Sequence, residues 1–330
     1  MQSSLRSKKI VINASAAKYG GAKTIVESFI SWVGVHDKRN KFVLVAPFCP
    51  GNLPDNVSYQ HKETSGLGTL FFSVIGVLLY CLKHKADICL SFNNVNLILP
   101  ICKRITYFHQ PKVFTDNGMR FRIMALMVKL IHGSAFVFQS PLIEQRFIDK
   151  FSDGFKMQIH WPGLGHSVDP NSDVYPLDKK QNEYVMLWPV TDPSASHKNL
   201  KWMQQHDEWF VENNVRILMT SSKATDCKSI ESIGLLSREQ LFSLYSQVDA
   251  VLMVSLEETF CLPIYEAASL NSKVLVLNRP YIETVQTWKG LPSNIILFDS
   301  KSTLIQGMHN KKCKLDVDAD YFEPDWKIYQ

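Results

Sequence analysis

The chain has 330 residues, of which 45% are hydrophobic and 20% are charged. This length accommodates about two domains, and the abundance of Leu, Ile, Val and Phe excludes an intrinsically disordered protein. The 36 Lys and Arg residues exceed the 31 Asp and Glu residues by five. That excess is too small to indicate a nucleic-acid partner, and it is compatible with a basic face near anionic lipid.

The seven cysteines are scattered, and no two of them form a CxxC pair. This pattern supports neither a zinc site nor a disulfide framework, and it favours a reducing compartment. The apolar run near the N-terminus is too short for a signal peptide. We therefore expect a cytoplasmic protein.

Short apolar runs alternate with helical patterns through the first half of the chain. The predicted strands are 9–15, 42–47, 87–92, 104–111 and 134–140. The predicted helices are 22–33, 66–82, 119–132 and one that begins at Pro141. Strands that are apolar nearly throughout, with helices between them, predict a parallel sheet covered on both faces.

One stretch, residues 64–82, carries no charge over nineteen residues and approaches membrane-spanning length. Three interpretations are open: a buried helix of an α/β domain, an interfacial helix, or a membrane span. Gly66, Gly68, Ser73 and Gly76 dilute its hydrophobicity. We favour the buried helix and leave interfacial contact open.

The character of the chain changes between residues 162 and 182, where prolines, glycines and mixed charges predict a linker. The βα pattern then restarts, with strands at 183–189, 215–221, 249–255 and 272–278 and helices at 237–248 and from Pro263. We predict an N-terminal domain at 1–165, a C-terminal domain at 166–310, and a tail at 311–330 that packs back toward the N-terminal domain. Ligands of doubly wound sheets bind at the carboxyl ends of the strands.

The segment 249–285 is the most informative for chemistry. A strand ends near Ser255, Glu258 lies in the following loop, and Pro263 suits the first turn of a helix that contains Glu266. The N–H groups at the start of that helix form an anion site suited to phosphate. Carboxylates beside such a site are unfavourable unless they accept hydrogen bonds from sugar hydroxyls. The segment therefore predicts a sugar-nucleotide site.

This segment resembles the Glu-x7-Glu signature of the family 4 retaining glycosyltransferases. The matching residues are Ser255, Glu258, Phe260, Leu262, Pro263, Glu266 and Ala267. The resemblance implies an α/β GT-B fold, in which two doubly wound Rossmann-like domains face a central cleft. It also implies that Glu258 contacts the donor sugar and Glu266 the ribose, with Phe260, Cys261 and Leu262 in the donor-binding loop.

Two positions depart from the family pattern, because Thr259 and Cys261 stand where the family has glycines. The Cβ of Cys261 would hinder a close approach of the backbone to the donor.

A second resemblance is WPVTDPSASHKNLKWM at 188–203, which is similar to the family's HKN variant. It implies that Lys198 neutralises the donor diphosphate as the glycosidic bond breaks, with Asn199 beside it on the donor side. The family's usual arginine earlier in this loop is missing, since Trp188-Pro189-Val190 stands there.

Two features of the N-terminal half complete the predicted site. The turn Gly20-Gly21 follows the first strand, and the resemblance places it near the phosphates and the acceptor. His109, in YFHQP, is implied to contact the donor sugar or to shape the acceptor pocket. No G-x-G-x-x-G motif follows the first strand, which argues against a dehydrogenase.

The resemblance implies retention of anomeric configuration. No obvious nucleophile flanks the site, so we favour front-face substitution without a covalent intermediate. Outside the tail at 311–330 no DxD motif is present, so we expect no metal and no cofactor, the nucleotide sugar being a substrate. The expected acceptor is a saccharide or a polyprenyl-diphosphate-linked saccharide of surface polysaccharide biosynthesis (lipopolysaccharide, O-antigen or capsule). The basic helix 119–132 and the apolar helix 66–82 predict peripheral contact with the anionic cytoplasmic face of the inner membrane.

Two other functions remain open from the sequence. One is a catalytically impaired GT-B subunit, damaged at Cys261, that only binds partners. The other, which we disfavour, is a glycoside hydrolase that uses Glu258 and Glu266 as its carboxylate pair. Such enzymes place their carboxylates on opposite sides of one bond, and a phosphate-binding helix terminus between them argues against that arrangement.

Overall fold

The computed structural model describes residues 6–131, 133–152, 154–165, 168–310 and 315–329. The chain divides into two compact units, Met1–His166 with Pro324–Gln330, and Ser167–Glu323. Within the segment predicted as a linker, the described residues contain neither helix nor strand. The predicted tail is divided, since the residues before Pro324 belong to the second unit and those from Pro324 onward to the first.

Unit 1 is built on a seven-stranded sheet in the order β3-β2-β1-β4-β5-β6-β7, and every neighbouring pair is parallel. Its strands are β1 (Lys9–Asn13), β2 (Lys41–Ala46), β3 (Val57–His61), β4 (Ile88–Ser91), β5 (Lys103–Phe108), β6 (Ala135–Phe138) and β7 (Lys156–Ile159). The chain reverses its direction of winding between β1 and β4, so this pair is the switch point of the sheet.

The helices of unit 1 cover the two faces of this sheet. They are α1 (Gly20–His36), α2 (Gly66–Phe71), a π-helical turn (Phe72–Gly76), α3 (Val77–His84), α4 (Lys112–Thr115), α5 (Met119–Leu130) and α6 (Pro141–Phe151). On one side α3 packs its buried residues Val77 and Cys81 with Val11 and Val43 of the sheet. Burial of such apolar surface is the main stabilising contribution to the unit.

Unit 2 repeats the design with six strands in the order β10-β9-β8-β11-β12-β13, all parallel. The strands are β8 (Tyr184–Trp188), β9 (Val215–Met219), β10 (Ile230–Ser232), β11 (Ala250–Met253), β12 (Val274–Leu277) and β13 (Ile295–Phe298). The helices are α7 (Leu200–Glu212), α8 (Arg238–Gln247), α9 (Leu262–Ser269), α10 (Pro280–Lys289) and α11 (Lys301–His309). Here the switch point lies between β8 and β11.

The uncharged segment 64–82 forms a helical stretch of unit 1, Gly66–His84, whose mean hydropathy of 1.8 and length of 19 residues would also suit a membrane span. A core helix of a globular protein has the same properties, so this finding alone decides little. One face, with Leu70, Val74 and Val77, is buried. The opposite face exposes Leu67, Phe71, Ile75, Leu79 and Leu82, which we call the apolar stripe.

The C-terminal segment completes the core of unit 1. Trp326 and Tyr329 are both fully buried, and their rings contact Phe29 of α1 at centroid distances of 5.2 and 5.7 Å. The indole of Trp326 donates to Ser28 Oγ at 3.0 Å, and the Tyr329 hydroxyl donates to Asp37 at 2.7 Å. Both buried polar groups are thus satisfied, as burial requires.

Candidate functional site

In unit 2 the loops that follow β8 and β11 meet at the switch point of the sheet. The backbone N–H of Leu256 donates to His197 O at 2.8 Å, and the Asn199 side-chain amide donates to Val254 O at 3.0 Å. Asn199 has a left-handed φ of 64° and begins α7, a conformation that Asn tolerates better than most residues. These two bonds hold the loop of Lys198 against the loop of Glu258.

The two loops place Lys198 Nζ 2.6 Å from Glu258 Oε1. The side chains are 24% and 16% exposed, so both are accessible from solvent although largely enclosed. Burial works to lower the pKa of Lys198, but neighbouring Glu258 outweighs it and raises that pKa above its ordinary value. Lys198 is therefore a fixed cation at neutral pH.

Cys261 begins α9 at the position where the family resemblance has a glycine. Its φ of 70° lies in the left-handed region, which explains why glycine suits this position. The thiol is buried, and burial, followed by the charge of Glu258, raises the pKa of Cys261 well above its ordinary value. The cysteine is consequently a neutral thiol beside Glu258 and Lys198.

The neighbours of Cys261 have buried side chains. Phe260 is 2% exposed and Leu262 is 8% exposed, and the Phe260 ring stacks on Tyr265 with centroids 4.4 Å apart. The predicted donor contacts of Phe260 and Leu262 therefore depend on backbone atoms at the start of α9, where N–H groups point out of the helix. Pro263 occupies the first turn, a position that needs no N–H donor.

Glu266 lies in the interior, 2% exposed. One carboxylate oxygen is 2.9 Å from Arg238 Nη1, and the other accepts from the Tyr245 hydroxyl at 3.1 Å. Burial raises the pKa of Glu266, while Arg238 and Tyr245 oppose that rise. The predicted ribose contact stays a prediction, since both oxygens already have protein partners.

Sequence reasoning missed three residues of this neighbourhood. Arg238 and Tyr245, both on α8, hold Glu266. Tyr281 on α10 is 3% exposed, and its pKa is raised first by burial and then by Cys261 and Glu258, with Arg279 opposing. The Tyr281 hydroxyl is buried without a hydrogen-bond partner. The sequence signal for these residues was weak, because they lie on helices outside both motifs.

Unit 1 has its own cavity at the carboxyl ends of β1, β4 and β5, with a volume of ≈ 380 Å³. His109, Lys18, Asn94 and Arg120 line it, together with apolar residues such as Met124. The Lys18 ammonium pairs with Glu63 at 2.5 Å. The cavity is therefore a polar pocket with a cationic rim, at the switch point of the first sheet.

His109 is held by its backbone, whose N–H donates to Asn94 Oδ1 at 2.7 Å. Burial lowers the pKa of His109 to about 4, so its ring is neutral at physiological pH and offers one donor and one acceptor. Gly20, with a φ of +63°, and Gly21 start α1, next to the lining residues Lys18 and Tyr19. The Gly20 conformation favours glycine, and beyond the adjacent residues and the backbone of α1 no atom lies within 4 Å of the position of a Cβ there.

Buried polar side chains support this cavity. The Asn93 amide donates to Asn13 Oδ1 at 3.0 Å, to Ser15 Oγ at 3.0 Å and to Ser73 Oγ at 3.2 Å. Ser73 lies in the π-helical turn, an irregularity often found at functional sites. A satisfied buried network of this kind fixes the loops around it.

Within the described ranges, no group of three or more His, Cys, Asp and Glu side chains is placed to hold a metal ion.

No protein-family model matches this chain, and no curated protein matches it. Solved structures do match it. For sucrose-phosphate synthase from Thermosynechococcus elongatus, the match covers 92% of this chain and 89% of the synthase chain, with a TM-score of 0.63 and 11% sequence identity. WaaG, a glycosyltransferase involved in lipopolysaccharide biosynthesis, matches 92% over 90% of its own chain, with a TM-score of 0.63 at 13% identity. Anabaena HepE was solved in complex with UDP and glucose. Its match covers 84% of this chain and 82% of the HepE chain, with a TM-score of 0.57 and 13% sequence identity.

These similarities, with the two parallel sheets, confirm the predicted fold class: the chain has the two-domain α/β GT-B fold. The fold does not fix the reaction. UDP-GlcNAc 2-epimerase from Methanocaldococcus jannaschii also matches, with a TM-score of 0.54 at 14% identity over 93% of this chain and 94% of its own. The assignment of an activity therefore depends on the side chains of the site.

Proposed function

We propose that this protein is a retaining glycosyltransferase that moves a sugar from a nucleotide-sugar donor to a saccharide or lipid-linked saccharide. The observation that carries the proposal is the Lys198–Glu258 pair, 2.6 Å apart, next to the N-terminus of α9. A cation, a helix terminus and a carboxylate are the groups needed for a diphosphate joined to a sugar. Glycosyltransferases with the same fold, including one in complex with UDP and glucose, support this assignment.

In this proposal Lys198 contacts the diphosphate of the donor and Glu258 contacts its sugar. An ammonium group has three N–H donors, so Lys198 can bond Glu258 and still donate to the diphosphate. Glu258 has two oxygens, of which Oε1 receives Lys198, and the carboxylate can accept hydrogen bonds from vicinal sugar hydroxyls. Glu258 thereby orients the sugar while it keeps Lys198 charged.

The chemical step we propose is a front-face substitution. The bond from the anomeric carbon to the diphosphate oxygen breaks, and its electron pair leaves with the nucleoside diphosphate. The acceptor oxygen forms the new bond on the same face, and its proton passes to the departing phosphate. Lys198 and the N–H groups of α9 stabilise the charge that develops on the leaving group. In this step Lys198 supplies the cation, so we propose that the enzyme needs no metal.

A panel of nucleotide sugars tests the proposal by release of nucleoside diphosphate, with and without EDTA. We expect turnover of at least one donor, unaffected by EDTA, and a loss of about 100-fold or more in Glu258→Gln. Glu208→Gln, an exposed change on α7, serves as the control and should match the parent protein. If no donor is bound or consumed, the glycosyltransferase proposal is lost and the binding-subunit alternative gains.

We also propose peripheral contact with an anionic membrane, through unit 1. The helical stretch that carries the apolar stripe packs beside α5, since its buried residues Leu70 and Val74 share a core cluster with Met124 and Val128. On α5, Leu126 and Leu130 are 58% and 48% exposed, and Arg120, Arg122 and Lys129 are exposed as well. Exposed apolar side chains with flanking cations are typical of interfacial helices.

The position of the unit 1 cavity supports a lipid-linked acceptor in surface polysaccharide biosynthesis. Two helices line that cavity, α2 with Gly66 and Leu70 and α5 with Arg120 and Met124. The outer faces of the same two helices carry the exposed apolar residues. An acceptor sugar in the cavity would thus lie close to its own lipid anchor. This arrangement would place the protein on the cytoplasmic face of the inner membrane.

Flotation with phosphatidylglycerol vesicles tests the membrane contact. We expect co-flotation that falls at high salt and falls several-fold in Leu79→Ser, which alters a residue of the apolar stripe that is 70% exposed. Leu235→Ser changes a residue of unit 2 that is 68% exposed, and it should float like the parent. Equal behaviour of the two variants would contradict the contact.

A further inference from the structure

A row of lysines lies at the amino-terminal ends of the strands of the unit 1 sheet, whereas the cavity of His109 lies at their carboxyl ends. Strands β1, β2, β5 and β7 each begin with lysine: Lys9, Lys41, Lys103 and Lys156. Because the strands are parallel, these residues lie at one edge of the sheet. Lys9 and Lys41 are direct register partners on adjacent strands, an arrangement of like charges that destabilises a sheet unless something compensates it.

Part of this edge forms a second cavity of ≈ 720 Å³. Six cationic side chains line it, namely Lys9, Lys38, Arg39, Lys41, Lys83 and Lys85. They come from three directions: the start of the strands, the turn after α1, and the end of α3. His84, Asn40, Asn56 and Ser58 add polar groups.

The acidic groups nearby do not neutralise these cations. Within the described part of the chain, none of the six forms an ion pair with a carboxylate. Asp37 is engaged by Asn40 and Tyr329, and Asp87 accepts the backbone N–H of Lys9. Asp55 is the one carboxylate among the lining residues.

Two pKa shifts near these cations have burial as their first cause and neighbouring lysines as their second. The pKa of His84, in the cavity lining, is lowered by burial and then by the charges of Lys83 and Lys9. Outside the lining, the pKa of Lys103 is lowered by burial and then by Lys8 and Lys156. In both cases the neighbouring cations add to the effect of burial.

We propose that this basic cavity binds an anion that carries two or more phosphate groups. Ammonium groups act as point charges toward phosphate, and the Arg39 guanidinium can bind phosphate oxygens in a bidentate manner. A cavity of ≈ 720 Å³ has room for more than a single phosphate. The site lies at the end of the sheet away from the proposed acceptor cavity, so it is independent of the proposed transferase function.

Two sources could supply such an anion. One is a soluble oligophosphate. The other is the headgroup of a lipid with several phosphates, because the apolar stripe runs along α2 and α3 and ends at Lys83 and Lys85 beside the cavity. The chemistry recognised is the same in both cases, and the experiment distinguishes the sources.

Calorimetric titration of the full chain with inorganic tripolyphosphate tests the proposal. We expect binding that weakens as salt is raised and weakens at least tenfold in the double variant Arg39→Gln/Lys83→Gln. The matched control is Lys201→Gln/Lys301→Gln, which removes two exposed cations from unit 2 and should bind like the parent. Unchanged thermal midpoints and unchanged nucleotide release in both variants would show that fold and transferase site are intact.

Flotation with cardiolipin vesicles, with and without tripolyphosphate, identifies the source. A lipid headgroup is the source if two results are found together. Flotation is lost in Arg39→Gln/Lys83→Gln but not in the control, and tripolyphosphate displaces the parent protein from the vesicles. A soluble oligophosphate is the source if tripolyphosphate binds while flotation depends neither on Arg39 and Lys83 nor on added tripolyphosphate. The proposal is overturned if neither probe binds, or if both double variants bind each probe equally.

Discussion

Lys198 depends on Glu258 for its charge, and Glu258 depends on Lys198 for its orientation. Lys198 keeps its proton because Glu258 raises its pKa against the effect of burial. Glu258 in turn is held in one orientation by the ammonium group, 2.6 Å away. Removal of the cation should therefore impair the step in which the diphosphate leaves, more than the binding of the donor.

The variant Lys198→Gln tests this dependence. We expect kcat to fall about 10²–10³-fold, with a smaller change in the KM of the donor. Lys201→Gln, three residues further along and exposed, is the control and should leave both constants unchanged. A change confined to KM would mean that Lys198 only binds the donor.

Cys261 combines a left-handed backbone with a buried side chain, and two substitutions separate these properties. Cys261→Gly and Cys261→Ala both remove the thiol, but only glycine adopts a φ of 70° without strain. We expect the Gly variant to be more stable than the Ala variant by about 1 kcal/mol, measured by urea unfolding. Equal stabilities would contradict the strain.

Arg238 is the partner that allows Glu266 to be buried with charge. Removing one member of a buried pair costs about 3–5 kcal/mol, so Arg238→Met should lose about that much unfolding free energy at pH 7. The pKa of Glu266 is already raised from 4.5, and loss of Arg238 raises it further. A carboxyl with a raised pKa destabilises the folded state only above its unfolded pKa.

The deficit of Arg238→Met should therefore be larger at pH 7 than at about pH 3, where Glu266 is protonated in both states. Urea unfolding at the two pH values measures it, and Arg238→Lys should recover part of the loss. A deficit that is the same at both pH values would show that Arg238 acts by packing alone.

At the level of elements, the structure shows which parts of the fold were visible in the sequence. The predicted strands at 9–15, 42–47 and 249–255 correspond to β1, β2 and β11, whose interiors are buried. The four strands that were not predicted, β3, β7, β10 and β13, are the outermost strands of the two sheets. Edge strands face solvent, and three of these four carry polar residues, so they lack the apolar run that identifies a buried strand.

The C-terminal segment is an element whose contribution to unit 1 can be measured. Trp326 is fully buried and contacts Phe29, so Trp326→Ala should lower the unfolding free energy by about 3–5 kcal/mol. Leu235→Ala, at a residue that is 68% exposed, should cause little change. A loss below about 1 kcal/mol would contradict the role of this segment in the core of unit 1.

At the scale of the whole molecule, part of the site was predictable and part was not. Lys198 and Glu258 could be named from motifs 60 residues apart, because each follows a strand at the switch point of the second sheet. Arg238 could not be named, since its role follows from the packing of α8 on α9. The basic cavity could not be predicted for a similar reason. Its lysines come from distant segments, which the parallel sheet brings together at the amino-terminal ends of its strands.

The distribution of surfaces in unit 1 links these features. One end of the sheet carries the His109 cavity and the other carries the basic cavity, while the apolar stripe runs along the helical stretch that contributes residues to both. This arrangement is the one that the proposed membrane contact and the proposed lipid-linked acceptor require.

Retaining sugar transfer is tested most directly by a proton NMR time course with the full chain, a nucleotide-sugar donor from the panel and a saccharide acceptor. We expect the anomeric signal of the α-linked donor to disappear while a new α-glycosidic signal and free nucleoside diphosphate appear together, and we expect neither product with Lys198→Gln. A β-linked product would contradict retention. The absence of any donor consumption across the panel would contradict the glycosyltransferase assignment itself.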